Sequence, residues 1–368
     1  MSEKPKRILV FGMTENPGGI ETLLLNVLRS IQGSEIDLDF LTNAEQVAFE
    51  DELKSYGSRV FNVTPRRKSR CKFYVDLNRF FSEHAKEYDA IWENVNSLAN
   101  IDYLIYAKRY GIPRRVIHCH NSNDTEGMIR GILHRINRFR VRDVATDFWS
   151  VSNEASRWFY GYDYEKLPNY KVVTNTIIAS RFSFSREDRK RIRKRLGISE
   201  DTVVVGNVGR LHPQKNQELI VRVVACLNAQ GANCACLIVG KGELEESLLK
   251  LSSKLGISDK MFLTGAVSDS APLYSAMDLF LFPSLYEGLS IALLEAEANG
   301  LPCLLSDAIP SGALVSTRMR VCGLGSDVET WANAAMDLMS EGRLEGNCIL
   351  GTRFDSGNYL PLLEEVVV

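Results

Sequence analysis

Leu279-Phe-Leu-Phe-Pro-Ser-Leu-Tyr-Glu-Gly-Leu-Ser-Ile-Ala-Leu-Leu-Glu-Ala-Glu-Ala-Asn-Gly-Leu-Pro-Cys303 reads as a strand, a loop, a helix and the start of another strand. The run 279–282 is short and apolar, as a buried strand is. Glu287 falls in the glycine-containing loop after it, and Glu295 lies about two turns inside the following helix. Asn299-Gly300 ends that helix, and a second apolar run begins at Cys303. Both carboxylates then face the crevice above one strand end, which is where open α/β sheets bind ligands. Two carboxylates beside a helix N-terminus suit a ligand that is polyhydroxylated and phosphorylated, and a nucleotide sugar answers that description.

The same alternation runs outward in both directions. Residues 8–13, 36–41, 59–63, 90–95, 115–119 and 148–151 are short apolar runs separated by amphipathic stretches. The pattern restarts after residue 177, with strands expected at 203–208, 234–239, 261–264, 279–282 and 303–305 and helices such as 216–228 and 243–255 between them. A chain of 368 residues is too long for one hydrophobic core. The expected fold class is α/β, with two Rossmann-like domains facing each other across a cleft, residues 1–180 and 181–355. The polar, aperiodic segment Ser180-Arg-Phe-Ser-Phe-Ser-Arg-Glu187 marks the boundary.

Val205-Gly-Asn-Val-Gly-Arg-Leu-His-Pro-Gln-Lys-Asn216 ends a strand, turns through glycine and opens a helix, with Arg210 and Lys215 at its mouth. A bidentate guanidinium and an ammonium can neutralise the charge developing on a departing nucleoside diphosphate without a metal ion. The alternative is a purely structural role in capping or surface pairing. Met13-Thr-Glu-Asn-Pro-Gly-Gly-Ile-Glu-Thr22 joins the first strand to a helix, and Gly18-Gly19 would let backbone N–H groups approach a phosphate. His118-Cys-His-Asn121 closes the fifth strand. His120, last before the polar loop, is the expected crevice residue, able to orient an acceptor hydroxyl or touch the transferred sugar, whereas His118 reads as structural. No third ligand accompanies this pair at zinc spacing. Val239-Gly-Lys-Gly-Glu243 has Glu245 where a dinucleotide fingerprint needs its third glycine, which argues against NAD. Asp37-Leu-Asp39 spells the D-x-D of metal-dependent sugar transferases but lies inside a strand, so it is discounted.

Net charge is −2, and it divides mildly: residues 1–180 hold 25 Lys+Arg against 23 Asp+Glu, the remainder 19 against 23. Arg66, Arg67 and Lys68 with Arg70 and Lys72 form one basic cluster, and Arg130, Arg135, Arg138, Arg140 and Arg142 a second. Either could dock an anionic membrane or acceptor, or be a solvated face. Arg189 to Arg195 reads as an exposed interdomain helix. No run approaches the ~18 apolar residues of a spanning helix, and the eight cysteines form no C-x-x-C, so a cytoplasmic protein with buried thiols is expected, with peripheral contact at the inner face of the plasma membrane.

Gly209-Arg-Leu with Lys215-Asn216, then Phe282-Pro-Ser-Leu-Tyr-Glu-Gly-Leu-Ser290 with Glu295-Ala and Gly300-Leu-Pro-Cys303, resemble the family 4 retaining glycosyltransferases of GT-B fold. Gly18-Gly-Ile-Glu21, His118-Cys-His-Asn121 and Thr174-Asn-Thr-Ile177 occur in the family's order, with the overall look of bacterial exopolysaccharide or capsule transferases. The resemblance implies that Glu287 bonds donor-sugar hydroxyls and that backbone N–H groups of Gly288, Leu289, Ser290 and Ile291 meet sugar and phosphate. It implies that Glu295 accepts the ribose hydroxyls, that Arg210 and Lys215 take the diphosphate, and that Gly19 closes on it beside Gly18. Backbone around Ala266-Val267 would read the base, and Gly240 joins the donor-binding set. Thr176 departs from the glycine usual there. Residues 356–368 would form a short final helix packing back on the first domain.

The implied reaction is front-face displacement from a nucleotide sugar, a UDP-sugar by expectation, carrying a hexose or N-acetylhexosamine to a glycan or lipid-linked acceptor. No metal, cofactor or nucleic acid is called for. The carboxylates then act as hydroxyl anchors rather than as a glycosidase-like pair. The competing readings are a catalytically silent GT-B binding partner of another transferase, and a nucleotide-sugar hydrolase or epimerase.

Overall fold

The computed structural model describes residues 5–121, 127–267, 269–287, 289–309 and 315–367. Two compact units divide the chain, Met1–Thr176 with Ser356–Val368, and Ile177–Asp355. In the first, β1 (Lys6–Phe11), β2 (Ile36–Thr42), β3 (Val60–Asn62), β4 (Ala90–Val95), β5 (Arg114–Cys119), β6 (Asp147–Ser150) and β7 (Tyr170–Val172) form a parallel sheet in the order β3-β2-β1-β4-β5-β6-β7. In the second, β8 (Val203–Val208), β9 (Cys234–Val239), β10 (Met261–Leu263), β11 (Leu279–Phe282), β12 (Cys303–Ser306) and β13 (Met319–Cys322) form a parallel sheet in the order β10-β9-β8-β11-β12-β13. Each unit is a Rossmann-like α/β domain. Helices cover both faces, which is why the central strands are mainly apolar: Ile8, Leu9 and Val10 of β1 are fully buried, as are all four residues of β11, while Asp39 of β2 and Glu93 of β4 are buried acids within such strands.

Topology fixes where each unit can bind something. The chain leaves β1 toward β2 on one side and returns to β4 on the other, and it leaves β8 toward β9 and returns to β11. Successive helices therefore depart to opposite faces at these points, opening a crevice at the carboxyl ends of β1 and β4 and another at those of β8 and β11. The second crevice lies between the loops carrying Arg210-Lys215 and Glu287.

Two strands escaped the periodicity reading. β7 and β13 are edge strands, each with most of its residues part-buried or exposed, so neither presents the apolar run that marked the others. The boundary also moves, from 180 to between Thr176 and Ile177. Ile177, Ala179 and Phe182 are buried, and Ile177 N–H donates to Phe354 O at 2.9 Å while Asn347 Nδ2 donates to Ala179 O at 2.7 Å, so the segment belongs to the second unit. The helix Arg186–Leu196 is likewise part of that unit rather than an exposed link. Its Arg193 is 1% exposed, ion-paired with Asp278 at 2.6 Å and donating to Ala276 O and Thr202 O.

Asp37 and Asp39 are structural. Asp39 is buried between Arg7 (2.9 Å) and Arg59 (2.7 Å), with Asp37 on Arg7 at 3.0 Å, so the D-x-D braces one end of β1 and β2. The closing helix Tyr359–Val367 lies with the first unit, against the helix Gly19–Ser30 and β1. Tyr359 donates to Thr174 O at 3.1 Å and sets its ring 5.9 Å from Trp92, and Lys171 pairs with Glu365.

Candidate active site

Where β8 ends, Gly209 takes φ 158°, and its N–H donates to Val239 O at 2.9 Å while Leu211 N–H donates to Lys241 O at 2.9 Å. The loops after β8 and β9 thus lie against each other. Gly240 makes this possible: with φ 144°, a Cβ there would sit 2.0 Å from Gly209 O. The donor-binding expectation at Gly240 therefore coincides with a packing requirement. Pro213–Lys215 forms one tight turn, and Asn216, in the left-handed region at φ 51°, starts the helix Gln217–Ala229.

That turn is stitched to the loop after β11. Gln214 Nε2 donates to Tyr286 O at 2.8 Å, Leu285 N–H to Gln214 O at 2.8 Å, and Asn216 Nδ2 to Pro283 O at 3.3 Å. At the centre of the seam Lys215 Nζ meets Glu287 Oε1 at 2.5 Å, with the ammonium 5.2 Å from the Phe282 ring centroid. The side chains are only 18% and 8% exposed. Lys215 and Glu287, read from the sequence as separate grips on phosphate and sugar, neutralise one another. Arg210 is exposed, and its guanidinium makes no hydrogen bond or ion pair among the described residues. It is a cation at this crevice with no counter-charge among the described residues.

Glu295 sits on the helix Ile291–Ala298 and is 5% exposed. Tyr274 Oη donates to its Oε2 at 2.7 Å and Ser270 Oγ to the same oxygen at 3.4 Å. Burial pushes this carboxyl up to about 7, against the lowering pull of those two hydroxyls. Tyr274 was not anticipated, because its apolar helix Ala271–Ala276 carries no motif. Glu297, two residues on, is fully buried and accepts from the N–H groups of Val315 (2.7 Å) and Ser316 (2.9 Å), a structural task that the sequence did not separate from that of Glu295. Ser290 and Ile291 are 8% exposed at the start of the helix, whose first N–H groups have no partner within it. Leu289 is half-buried, Gly288 lies outside the described residues, and Val267 is half-buried next to exposed Ala266.

In the first unit the crevice is lined by the loop after β1 and the ends of β4 and β5. A Cβ on Gly18 would lie 2.7 Å from Glu21 Oε2, so the end of that side chain would have to shift, whereas nothing lies within 4 Å of a Cβ on Gly19. Glu21 is 6% exposed and takes a 2.5 Å hydrogen bond from Thr14 Oγ1, so the carboxylate folds back to brace its own loop. His118 is fully buried among Trp92 and Trp149 with Nε2 3.0 Å from Val173 O. His120, just past β5, is half-buried with Nε2 2.9 Å from Asn94 Oδ1. Burial pushes its imidazole down to about 3, against the hydrogen bond of Asn175. A neutral ring held this way is a hydrogen-bonding orienter, not a base for pH 7.

The basic clusters are less available than their sequence implied. Arg66 pairs with Asp102 at 3.3 Å, Lys68 with Glu45 at 2.9 Å and Arg142 with Asp163 at 2.5 Å, and Arg138 donates to Trp158 O. Arg67 and Arg135 are exposed without a partner among the described residues. Among those residues no helix is long and apolar enough to cross a membrane, and no group of three or more His, Cys, Asp or Glu could hold a metal ion.

Residues 188–349, which contain this entire crevice of the second unit, match the family described as Glycosyl transferases group 1. Over 93% of its length the chain is 28% identical to the putative glycosyltransferase EpsF of Bacillus subtilis, of which 90% is covered. The chain is a glycosyltransferase. Another relative of the transferase is the UDP-Gal:alpha-D-GlcNAc-diphosphoundecaprenol alpha-1,3-galactosyltransferase of Escherichia coli, 32% identical over 39% of this chain and 38% of that one. Anabaena HepE, solved in complex with UDP-glucose, superposes on the transferase with a TM-score of 0.74 at 20% identity, covering 98% of this chain and 95% of that one. WaaG, a glycosyltransferase involved in lipopolysaccharide biosynthesis, superposes with a TM-score of 0.67 at 15% identity, covering 98% of each. These likenesses establish the GT-B fold of the transferase.

Proposed function

We propose that this protein is a retaining, metal-independent transferase that moves a hexose or N-acetylhexosamine from a UDP-sugar to a glycan or lipid-linked acceptor in surface polysaccharide synthesis, working at the inner face of the plasma membrane. The observation that carries the reading is the pairing of Lys215 with Glu287 beside Arg210, whose guanidinium has no partner among the described residues, at the carboxyl ends of β8 and β11. An ammonium has three N–H donors, so Lys215 can hold Glu287 with one and a phosphate oxygen with another. Held between them, Glu287 keeps its second oxygen for sugar hydroxyls, and Arg210 meets the diphosphate as an uncompensated charge. As the bond to the sugar breaks, negative charge grows on the diphosphate, and the Lys215 ammonium, already held by Glu287, and the exposed Arg210 guanidinium stabilise it. Glu295, aligned by Tyr274, is assigned to the ribose hydroxyls, and the backbone at Ala266-Val267 and the N–H groups of Leu289 to Ile291 to base, sugar and phosphate. His120 is assigned to orienting an acceptor hydroxyl, and Gly19, open on its Cβ side, to a phosphate contact.

The uridine assignment is supported by the UDP-glucose bound to HepE and by the name of the Escherichia coli relative. Other relatives are named as GDP-mannose-dependent, so the donor screen has to include both. The test is thermal shift with UDP, UDP-glucose, UDP-galactose and GDP-mannose, followed by transfer of labelled sugar with and without a lipid-linked acceptor after EDTA treatment. A UDP-sugar should raise the melting temperature and be transferred with its anomeric configuration kept. Binding without turnover would make the protein a silent partner, and sugar release independent of acceptor would make it a hydrolase.

A further inference from the structure

Ala179–Phe182, where the second unit begins, is a tight turn pinned at both ends: Asn347 Nδ2 donates to Ala179 O and Asn299 Nδ2 to Phe182 O, each at 2.7 Å. The Phe182 ring stands edge-on to Tyr274 at 5.9 Å, and Tyr274 is the donor to Glu295. The turn is thereby fixed beside the carboxylate assigned to the ribose. From it Arg181 Nη2 reaches Asp269 Oδ1 at 3.2 Å, an oxygen that also accepts from Ala271 N–H at 3.2 Å. Both charges are felt at Glu295: burial raises that carboxyl most, the Tyr274 and Ser270 hydroxyls and Arg181 lower it, and Asp269 raises it. Asp269 also stands two residues past Val267, whose backbone is assigned to the base. Arg181 and Asp269 keep 32% and 50% exposure, so neither is a core brace and a nucleoside can meet both.

Backbone alone does not choose between uracil and guanine. A peptide group offers an N–H and a C=O, which uracil meets with O4 and N3–H just as guanine does with O6 and N1–H. The bases differ at the next position, where uracil carries the acceptor O2 and guanine the donor 2-amino group. A guanidinium there suits the first, and a free carboxylate suits the second. We infer that the Arg181–Asp269 pair is the base discriminator of this transferase: Arg181 donates to uracil O2, and by holding Asp269 it withdraws the charged acceptor that a guanine amino group would need. Arg181 has N–H donors to spare for this, since Asp269 takes only part of the guanidinium fork. The inference rests on the proposed function for the places of ribose and base, and it adds the side chains that select uridine.

An exposed ion pair adds little to stability, so its variants keep the fold. The test is titration calorimetry of the full chain with UDP, GDP and inosine diphosphate, which is GDP without the 2-amino group. Wild type should bind UDP about tenfold or more tighter than GDP, the worth of one charge-assisted hydrogen bond. Arg181→Ala should narrow that ratio by about tenfold, through weaker UDP binding and stronger GDP binding, while inosine diphosphate gains nothing. Adding Asp269→Ala should erase the GDP gain, and Arg181→Lys, which keeps a charged donor, should restore most of the UDP preference. An unchanged ratio in Arg181→Ala overturns the inference, as does a wild type that prefers GDP, or a gain for inosine diphosphate equal to that for GDP. Those results would leave the proposed function standing. A wild type that binds none of the three nucleotides would sink the donor assignment itself, and the base inference with it.

Discussion

Replacing Lys215 by alanine tests the crevice of the second unit in two currencies at once. In stability, the change strips the partner from Glu287, whose side chain is 8% exposed and whose Oε1 lies 2.5 Å from the ammonium. Breaking a fully buried ion pair costs about 3–5 kcal/mol, and a charged hydrogen bond with residual solvent contact about 1.5–3. Lys215 keeps 18% exposure, so the lower range applies, about 2 kcal/mol. For a unit of this size that is a fall in melting temperature of about 4–8 °C. Glu287→Gln in the same background removes the stranded charge and should recover most of the loss, a coupling of about 1–2 kcal/mol in the double-mutant cycle. In activity no such recovery is expected. Both Lys215→Ala variants lack the ammonium that meets the leaving diphosphate, and transfer should fall by about 10² or more in each. The assays are thermal unfolding of the four proteins and turnover of labelled donor. Coupling indistinguishable from zero would show that the pair does not form in solution, and wild-type turnover in Lys215→Ala would remove the phosphate assignment.

Arg210→Ala, by contrast, breaks no hydrogen bond or ion pair among the described residues and should leave the melting temperature unchanged while lowering turnover by about 10² or more; a stability loss as large as that of Lys215→Ala would mean that the guanidinium is a structural brace. Glu295 has its carboxyl raised to about 7 from the unfolded value near 4.5, so the folded form holds its proton more tightly. Its contribution is therefore most favourable below about pH 4.5 and declines as pH rises to about 7; Glu295→Gln should flatten that part of the stability profile, and an unchanged slope between pH 5 and 8 would refute the burial argument. His120, pushed down to about 3, should show no imidazole titration between pH 5 and 8 by NMR, whereas a midpoint near 6.5 would put the ring in water. Gly240→Ala should destabilise by about 2–5 kcal/mol because its Cβ meets Gly209 O at 2.0 Å, while Gly19→Ala, with nothing within 4 Å, should stay within about 0.5 kcal/mol and act only on donor binding; equal melting losses would overturn the distinction.

Periodicity found eleven of these strands because both sheets are parallel and covered on both faces, so most strands carry a short apolar run even where a polar residue such as Glu93 of β4 interrupts it. The half-exposed edge strands β7 and β13 gave no such run. Arg193 illustrates the opposite failure: a helix rich in Arg and Lys looks like a solvated face, yet Asp278 and four carbonyls, those of Ala276, Ser199, Glu200 and Thr202, make one of those arginines a buried brace. Tyr274 left no mark either, since a tyrosine in an apolar helix is ordinarily core.

The sequence by itself determined the architecture and the cast of the crevice. Apolar runs at fixed spacing dictate a parallel sheet, strand-to-helix loops dictate where polar groups emerge, and Arg210, Lys215, Glu287 and Glu295 all stand in such positions. Only the tertiary structure decided who meets whom. The reversal of strand order at β8 brings residues 215 and 287 together across 72 positions of chain, turning an expected free cation and an expected free anion into one neutral pair and leaving Arg210 as the open charge. Pairing depends on which strand ends lie side by side, and that follows from how the whole sheet packs rather than from any local stretch of sequence.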